Sequence, residues 1–300
     1  MKILVTGATG MLGRAVMAEA AKDAAVETIG LCHSRVRNGL IAADLTQTDA
    51  IAPLLDQIQP DVIIHTAAIR RPEEFAADTP SARRLNVDAT AALARWTAAH
   101  PGTFLLYLSS DYAFDGTTPP YRPDDPVHPI NGYGVSKVEG EDVIRAHVPE
   151  RAAILRVPIL YGDVETLDES SVTTVIAAVL DMRHTDTPRV FDDWAVRYPT
   201  HVADVAEILL QLARRKCAGT FHWSGPAPLT KFDMATITAG LIGVDPARIQ
   251  RSGAPANGSE PRPKDCHLDR SDLEARGFTA TDRTFEETTR QLLARFAAQA

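Results

Sequence analysis

The sequence has few cysteines and no long apolar run. Its three cysteines, Cys32, Cys217 and Cys266, are widely spaced and form no C-x-x-C pair, so neither a zinc site nor a disulfide framework is indicated. No positively charged stretch precedes an apolar signal core, and no run approaches the roughly 20 apolar residues that span a bilayer. These absences predict a cytoplasmic protein that does not cross a membrane.

Positive charge is also limited and scattered. Lys and Arg number 31 against 39 Asp and Glu, a formal net charge of −8, and the basic residues form no stripe. Because affinity for a phosphate backbone needs a concentrated cationic surface, nucleic acid is not expected as a partner. The nine histidines form no H-E-x-x-H or comparable cluster, so no metal site is predicted.

Short apolar runs alternate with longer amphipathic stretches over the first 160 residues, a pattern typical of βαβ units. Runs such as VII at 62–64 and FLLY at 104–107 are apolar at consecutive positions, as expected for strands covered on both faces. We predict strands at 3–6, 27–31, 62–65, 104–109 and 153–157, and helices at 12–22, 51–58, 81–99 and 134–146. The fold class is therefore α/β, with a doubly wound parallel sheet of the Rossmann type.

The pattern changes after residue 162. An acidic and hydroxyl-rich stretch at 163–171 is followed by predicted helices at 172–182 and 202–214, a strand at 220–223 and a final helix at 285–299. Between the first two helices, the sequence is rich in loop-forming residues through 200. We predict a cofactor-binding sheet domain at 1–160, to which residues of about 190–222 also belong. The rest of 161–300 is predicted to form a smaller interleaved α/β substrate lobe.

A glycine-rich turn, TGATGMLG at 6–13, follows the first predicted strand and opens the first predicted helix. Glycines allow a tight turn there and let a dinucleotide pyrophosphate approach the backbone, while the helix N-terminus supplies N–H donors. The alternative is an ordinary strand-to-helix turn. The predicted cofactor-binding residues of this turn are Gly7, Thr9, Gly10, Met11, Leu12 and Gly13.

The residues after the second strand indicate which dinucleotide binds. An NAD site usually has an acidic residue here that bonds the ribose 2′-hydroxyl, whereas this sequence has His33, Ser34 and Arg35. Arginine can hold a phosphate through two hydrogen bonds, so the segment predicts NADP(H) as the cofactor. The alternative is that Arg35 is a solvated loop cation.

Residues that follow later strands are further candidates, because open α/β sheets bind ligands at the carboxyl ends of their strands. Asp44 and Leu45 are expected to face the adenine, and Thr66 and Ala67 to lie on the nicotinamide side. Taken singly these residues carry little information. Their positions after successive strands make them candidates.

Tyr133 and Lys137 are four residues apart and therefore share one face of a predicted helix. A lysine beside a tyrosine favours the phenolate, so we expect the pKa of Tyr133 to be lowered toward neutrality, as an acid–base group requires. Ser110, at the end of the fourth predicted strand, can hydrogen-bond a substrate carbonyl as negative charge develops on it. The alternatives are an exposed helix pair and a simple strand-end cap.

The glycine turn, Ser110 and the Tyr133/Lys137 pair together resemble the extended short-chain dehydrogenase/reductase superfamily. The runs SSDYAFDG at 109–116 and NGYG at 131–134 are similar to its dTDP-4-dehydrorhamnose reductase branch. The resemblance implies reduction of a 4-keto nucleotide sugar, with hydride from the nicotinamide and a proton from Tyr133. It also implies that Lys137 orients the ribose and that Ser110 polarises the carbonyl, where the branch usually has threonine.

A second likeness continues into the later part of the chain. The segments RRP at 70–72, LNVDA at 85–89, LRVPILYG at 155–162, YPTHV at 198–202 and FHWSG at 221–225 resemble the regulatory β-subunits of methionine adenosyltransferase. That family shares the fold, binds NADP and docks on a catalytic synthetase subunit. The resemblance implies such a subunit as a partner, and it implies that Arg70 and Leu160 also line the cofactor site.

Two hypotheses follow. The first is an NADP(H)-dependent reductase of a nucleotide-activated sugar, with Arg156, Arg197 and Arg262 as candidates for the substrate diphosphate or, alternatively, as surface or interface cations. The second is an NADP-loaded regulatory subunit without its own turnover. The fold does not decide between them, but the complete set of three catalytic candidates favours the enzyme. A homodimer is expected, because homodimers are the commonest assembly among soluble enzymes of this size.

Overall fold

A computed structural model describes residues 1–35, 37–255 and 260–296. Within these ranges the strands are β1 (Lys2–Thr6), β2 (Glu27–Cys32), β3 (Leu40–Ala42), β4 (Val62–His65), β5 (Phe104–Ser110), β6 (Ala152–Val157), β7 (Leu160–Tyr161), β8 (Arg189–Asp192), β9 (Thr200–His201), β10 (Gly219–His222) and β11 (Ile249–Ser252). The helices are α1 (Met11–Ala20), α2 (Thr48–Ile58), α3 (Pro72–Ala77), α4 (Thr79–Arg83), α5 (Ala89–Ala99), α6 (Gly132–His147), α7 (Thr173–Asp181), α8 (Val202–Arg215), α9 (Lys231–Ile242), α10 (Ser271–Ala275) and α11 (Phe285–Phe296).

Seven strands form one parallel sheet in the order β10-β6-β5-β4-β1-β2-β3. The chain runs outward from β1 to β2 and β3, then returns to β4, β5 and β6 on the other side of β1. Such a reversal opens a crevice at the carboxyl ends of the strands, where open sheets bind ligands. The predicted doubly wound sheet of the Rossmann type is confirmed, and β3 is a strand that the sequence pattern did not predict.

Successive residues of β1 point to opposite faces of the sheet. Ile3 and Val5 pack on the face that α1 and α8 cover, whereas Leu4 packs with residues of α2, α5 and α6 on the other face. Both faces of the central strands are therefore buried in apolar surroundings. This explains why their sequences are apolar at consecutive positions.

The helix predicted at 81–99 is helical throughout, but it is not a regular α-helix. The chain forms α4, then a π-helical turn at Arg84–Asp88, and only then α5. The turn carries the buried side chain of Asn86, which accepts a hydrogen bond from the Ile69 N–H at 2.8 Å and donates to the Ile69 carbonyl at 3.0 Å. A π turn of this kind often lies at a functional site, and here it fixes the loop that follows β4.

A second group of elements packs beside the sheet. Helices α7, α9 and α11 share a core with Phe191 of β8, and β8 pairs in parallel with β11. The sequence predicted loops around β8 because this four-residue strand has only one fully buried position and shows no alternation. The final predicted helix is observed as α11, and its predicted residues 297–299 lie outside the described residues.

Two elements that follow residue 200 return to the large sheet. Strand β10 pairs with β6, and α8 contributes its apolar face to the core under α1. The division into 1–160 with about 190–222, and 161–300, stays a prediction. Among the helices of the described ranges, none has both the length and the apolar character that a membrane span requires.

Candidate active site

A cleft of about 960 Å³ opens at the carboxyl ends of the parallel strands, between the sheet and the second group of elements. It brings together most of the residues that the sequence singled out, although they come from six separate segments of the chain. Those lining it are Gly7, Thr9, Gly10, Met11, Leu12, Gly13, His33, Ser34, Arg35, Thr66, Ala67, Arg70, Ser110, Tyr133, Lys137 and Leu160.

Asp44 and Leu45 are not among the residues that line the described part of the cleft. The side chain of Leu45 is buried in the core beneath the sheet. The carboxylate of Asp44 accepts hydrogen bonds from the N–H and the hydroxyl of Thr46, at 3.0 and 2.7 Å, and lies 4.0 Å from His33 Nε2. Their predicted contact with an adenine ring stays a prediction.

The glycine turn has the shape that a dinucleotide phosphate requires. Gly7 has a φ of +67°, and a Cβ on it would lie 3.0 Å from the backbone of Ala67. A Cβ on Gly13 would lie 2.2 Å from the Gly7 carbonyl oxygen, so α1 can approach β1 this closely only with glycine there. Gly10 is the N-cap of α1 and has no side chain to cap the first turn, so the N–H groups of that turn can donate to an anion.

The loop after β4 is joined directly to the end of β1. The N–H groups of Thr66 and Ala67 both lie 3.2 Å from the Thr6 hydroxyl, and the Thr66 hydroxyl donates to the Thr6 carbonyl at 2.7 Å. Together with Asn86, these bonds hold the backbone of this loop against the glycine turn. The main chain of Thr66 and Ala67 therefore forms one side of the cleft, which we call the backbone wall.

Helix α6 places Tyr133 beside Ser110. The side chain of Asn131 caps the helix by accepting from the Gly134 N–H at 2.9 Å. A Cβ on Gly134 would lie 2.3 Å from the Tyr112 carbonyl oxygen, so the first turn of α6 packs tightly on the segment that follows β5. The ring of Tyr133 meets the ring of Tyr112 edge to face, with 5.9 Å between centroids.

The structure corrects the expected pKa of Tyr133. Burial raises the pKa of this phenol above its usual value, and the neighbouring Ser110 hydroxyl only partly offsets that shift. Burial also lowers the pKa of Lys137 to about 7, against the opposing charge of Glu141. The phenol is therefore protonated at neutral pH, which is the form that donates a proton to a developing alkoxide.

Lys137 is held one helical turn after Tyr133 in a buried position. Its side-chain nitrogen lies 4.1 Å from the centroid of the Tyr107 ring, which is a cation–π contact when the lysine is charged, and the side chain lines the cleft. The Tyr107 hydroxyl lies 3.4 Å from the Lys137 carbonyl oxygen. Tyr107 was outside the sequence-based candidates, because nothing in its strand distinguishes it from a core aromatic residue.

Arg156 is not a substrate ligand in this structure. Its side chain is 1% exposed and donates to the two carboxylate oxygens of Glu141, at 2.8 and 2.6 Å. The hydroxyl of Ser109 donates to the same carboxylate at 2.5 Å. The prediction that Arg156 binds a diphosphate is therefore wrong, because its buried guanidinium is hydrogen-bonded to Glu141 and does not line the cleft.

The other two predicted arginines do line the cleft, at the end away from Arg35. Arg197 donates to the Pro263 carbonyl at 3.1 Å, and Arg262 lies 2.5 Å from a carboxylate oxygen of Glu73. Lys231 joins them from the start of α9. This end of the cleft therefore carries three basic side chains, and the carboxylates of Asp192 and Glu73 act on one of them, Lys231.

Lys231 was missed by sequence reasoning, although a local signal was available. Thr230 and Asp233 form a capping box, in which the Thr230 hydroxyl accepts from the Asp233 N–H and the Asp233 carboxylate accepts from the Thr230 N–H. This T-x-x-D pattern marks a helix start and so places Lys231 at its first position. Burial and the charge of Arg262 lower the pKa of Lys231.

Asp111 lies between the catalytic candidates and this cationic end. Burial raises the pKa of its carboxyl to about 6, while the charge of Arg197 opposes the shift. The Ser110 hydroxyl donates to the Asp111 carboxylate at 3.0 Å and accepts from the Tyr112 N–H at 3.2 Å. The orientation of Ser110 is thus set by its own strand end.

Comparison with curated proteins finds two kinds of relative. The chain is 40% identical to methionine adenosyltransferase 2 subunit beta of Mus musculus over 283 residues, which is 92% of this chain and 83% of the relative. It is 31% identical to dTDP-4-keto-6-deoxy-D-glucose reductase of Streptomyces niveus over 249 residues, which is 82% of this chain and 81% of the relative.

Solved structures show the same fold. A dTDP-4-dehydrorhamnose reductase from Clostridium acetobutylicum matches 99% of this chain and 100% of its own, with a TM-score of 0.84 and 26% identity. The enzyme of the same name from Bacillus anthracis was solved in complex with NADP. It matches 100% of this chain and 99% of its own, with a TM-score of 0.81 and 23% identity. The family described as RmlD substrate binding domain matches residues 1–298, and this chain, with its extended short-chain reductase fold, belongs to that family.

Proposed function

We propose that this protein is an NADP(H)-dependent reductase whose substrate is a nucleotide-activated 4-keto sugar. The observation that carries the proposal is the convergence of Ser110, Tyr133 and Lys137 in the cleft that also holds the glycine turn. A protein that only bound a dinucleotide would need the turn but not a protonated phenol beside a strand-end hydroxyl. The Streptomyces niveus relative, by its name, reduces a sugar of this class.

The residues fit an NADP(H) cofactor. The glycine turn and the first N–H groups of α1 would hold the pyrophosphate, and Arg35 would hold the 2′-phosphate. The backbone wall formed by Thr66 and Ala67 would hold the nicotinamide side. When bound, the reduced cofactor supplies hydride to the substrate carbonyl.

The chain's own groups then have separate tasks. Tyr133, protonated at neutral pH, gives its proton to the carbonyl oxygen as charge develops there. Ser110 would turn its single hydroxyl proton from the Asp111 carboxylate, which accepts it at 3.0 Å, to the same oxygen and thereby stabilise the charge. Lys137 follows Tyr133 by one turn of α6, and its charged form would favour the phenolate that remains after proton transfer.

The cationic end of the cleft supports an anionic substrate. Arg197, Lys231 and Arg262 lie there, and arginine binds phosphate groups through paired hydrogen bonds. Arg262 would exchange its present ion pair with Glu73 for such a contact. A sugar linked to a nucleoside diphosphate places two negative charges beside its reactive ring. It therefore matches both the carbonyl chemistry at Tyr133 and the charge at this end.

Turnover tests the proposal. Purified protein with NADPH and dTDP-4-keto-6-deoxyglucose should consume the cofactor, seen as loss of reduced-nicotinamide absorbance, and form a reduced dTDP-sugar detectable by mass spectrometry. Omitting the sugar is the control for background oxidation. Consumption of NADPH without a reduced sugar, or no consumption at all, contradicts the proposed activity.

Arg35→Ala should weaken NADPH binding about ten- to a hundredfold, because a charge-assisted contact to the 2′-phosphate is lost. NADH, which lacks that phosphate, should bind the variant within about twofold of the unmodified protein. Titration calorimetry measures both constants. The matched control is Arg37→Ala, which removes a nearby guanidinium that pairs with Glu165 at 2.6 Å. Equal losses for NADPH and NADH would contradict the 2′-phosphate assignment.

A second candidate function rests on the 40% identity to methionine adenosyltransferase 2 subunit beta, which extends over 92% of the chain. In this alternative the protein is a dinucleotide-loaded regulatory subunit of a methionine adenosyltransferase. Affinity capture from a lysate of the source cells, followed by mass spectrometry, tests it. Recovery of that catalytic subunit with no sugar reduction would favour the regulatory role, and its absence would count against it.

A further inference from the structure

An acidic loop at residues 163–169 covers the end of the cleft where Arg35 lies. Its Glu169 side chain binds Arg14 in a bidentate manner, with oxygen-to-nitrogen distances of 3.0 and 2.7 Å, and lies 3.2 Å from the Arg35 guanidinium. Arg14 follows the glycine turn on α1, whereas Arg35 follows β2. One carboxylate of the acidic loop thus joins Arg35, which lines the cleft, to Arg14, which comes directly after the glycine turn.

Further contacts hold this acidic loop in place. Glu165 pairs with Arg37 at 2.6 Å, and the Glu165 N–H donates to the Glu169 carboxylate at 2.8 Å. Arg71 donates to the Asp168 carbonyl at 2.9 Å. Ion pairs therefore hold the loop on one side of the cleft, and a hydrogen bond to its main-chain carbonyl holds it on the other.

Glu169 differs from an ordinary surface ion pair. Its side chain is only 12% exposed, and it lines the cleft itself. Although burial acts in the opposite direction, hydrogen bonding from Arg14 and from the Glu165 N–H lowers the pKa of Glu169 to about 2. The residue therefore carries a full negative charge at neutral pH, where a 2′-phosphate is also negative.

A 2′-phosphate on Arg35 would lie close to this carboxylate. The two anions would share the same guanidinium, and like charges a few ångströms apart in a partly desolvated site repel each other. Arg14 could be released to the phosphate only if Glu169 gave up its bidentate contact. Either event lowers the affinity for a phosphorylated dinucleotide but not for one with a free 2′-hydroxyl.

We propose that Glu169 is a specificity-determining residue of the cofactor site, whose carboxylate competes with the ribose 2′-phosphate for Arg14 and Arg35. The inference rests on the proposed NADP(H) site. The preference for NADPH over NADH is then the difference between two opposing contributions, attraction by Arg35 and repulsion by Glu169. Removal of the carboxylate charge raises this preference.

Four ligands test the inference on the full-length protein and on Glu169→Gln. NADPH and adenosine 2′,5′-bisphosphate carry the 2′-phosphate, whereas NADH and 5′-AMP do not. We expect the variant to bind the first two about fivefold more tightly or better, and the other two within about twofold of the unmodified protein. The gain should shrink as potassium chloride is added, because salt screens a partly exposed charge.

Glu165→Gln is the matched control. Glu165 is 36% exposed and its carboxylate approaches Arg35 only to 3.8 Å, so its removal should change NADPH affinity less than removal of Glu169. Weaker NADPH binding by Glu169→Gln, or the same change for all four ligands, would overturn the inference in favour of a structural role. If the unmodified protein bound neither NADPH nor the bisphosphate, the proposed cofactor site itself would be wrong.

A measurement on the unmodified protein covers the case in which Glu169→Gln does not fold. Hydrogen exchange of the acidic loop should accelerate when adenosine 2′,5′-bisphosphate binds, because the phosphate takes arginine contacts from Glu169. The same loop should exchange at an unchanged rate with 5′-AMP. Unchanged or slower exchange with the bisphosphate would overturn the competition.

Discussion

Tyr133→Phe should reduce the turnover number for sugar reduction by roughly a hundred- to ten-thousandfold, the usual contribution of a positioned proton donor. In the proposed reaction the phenol supplies the proton, and its raised pKa keeps it protonated at neutral pH. Phenylalanine keeps the ring and its edge-to-face contact with Tyr112, so the cleft should keep its shape. The Kd for NADPH should therefore change little.

Steady-state kinetics with dTDP-4-keto-6-deoxyglucose measures the loss, and calorimetric titration with NADPH measures the binding that should persist. Tyr198→Phe is the matched control, because it also deletes one phenol oxygen but acts on a ring stacked against His267, with 4.3 Å between centroids. A Tyr133→Phe protein with unreduced turnover would show that the proton comes from elsewhere. A proportional loss in both variants would indicate a general effect of phenol removal on stability.

The parts of the site that could be predicted are those that short, local sequence patterns identify. The turn around Gly7 follows an apolar strand and opens a helix, so three glycines at fixed spacing identify it. Tyr133 and Lys137 are one helical turn apart, and Ser110 ends a strand. Each pattern is complete within a few residues, and the fold brings these patterns together because parallel strands end at one edge.

The parts that could not be predicted depend on contacts between distant segments. Glu169 meets Arg14 across 155 positions, and nothing near either residue indicates the other. Arg156 had the residue type of a phosphate ligand, but its partner Glu141 lies on the helix that precedes its strand. The spacing of Tyr133 and Lys137 also could not show how deeply the phenol is buried, which decides the direction of its pKa shift.

Glu141→Gln should lower the free energy of unfolding by roughly 3–5 kcal/mol, because it leaves Arg156 charged and unpaired in the interior. The side chains of Glu141 and Arg156 are 0% and 1% exposed. Although burial acts to raise the pKa of Glu141, pairing with Arg156 and the hydrogen bond from Ser109 hold that pKa below its usual value. The carboxylate therefore contributes stability above its unfolded-state pKa, and this contribution is lost as the pH falls through its lowered folded-state pKa.

Urea unfolding at neutral pH measures this loss, and the exposed partner of the same carboxylate supplies the control. Arg145 lies 2.7 Å from Glu141 but is 41% exposed, so Arg145→Gln should cost at most about 1 kcal/mol. The double change Glu141→Gln with Arg156→Met should recover part of the loss, because it removes the unpaired charge along with its partner. If Glu141→Gln cost no more than Arg145→Gln, the buried pair would be a minor contributor.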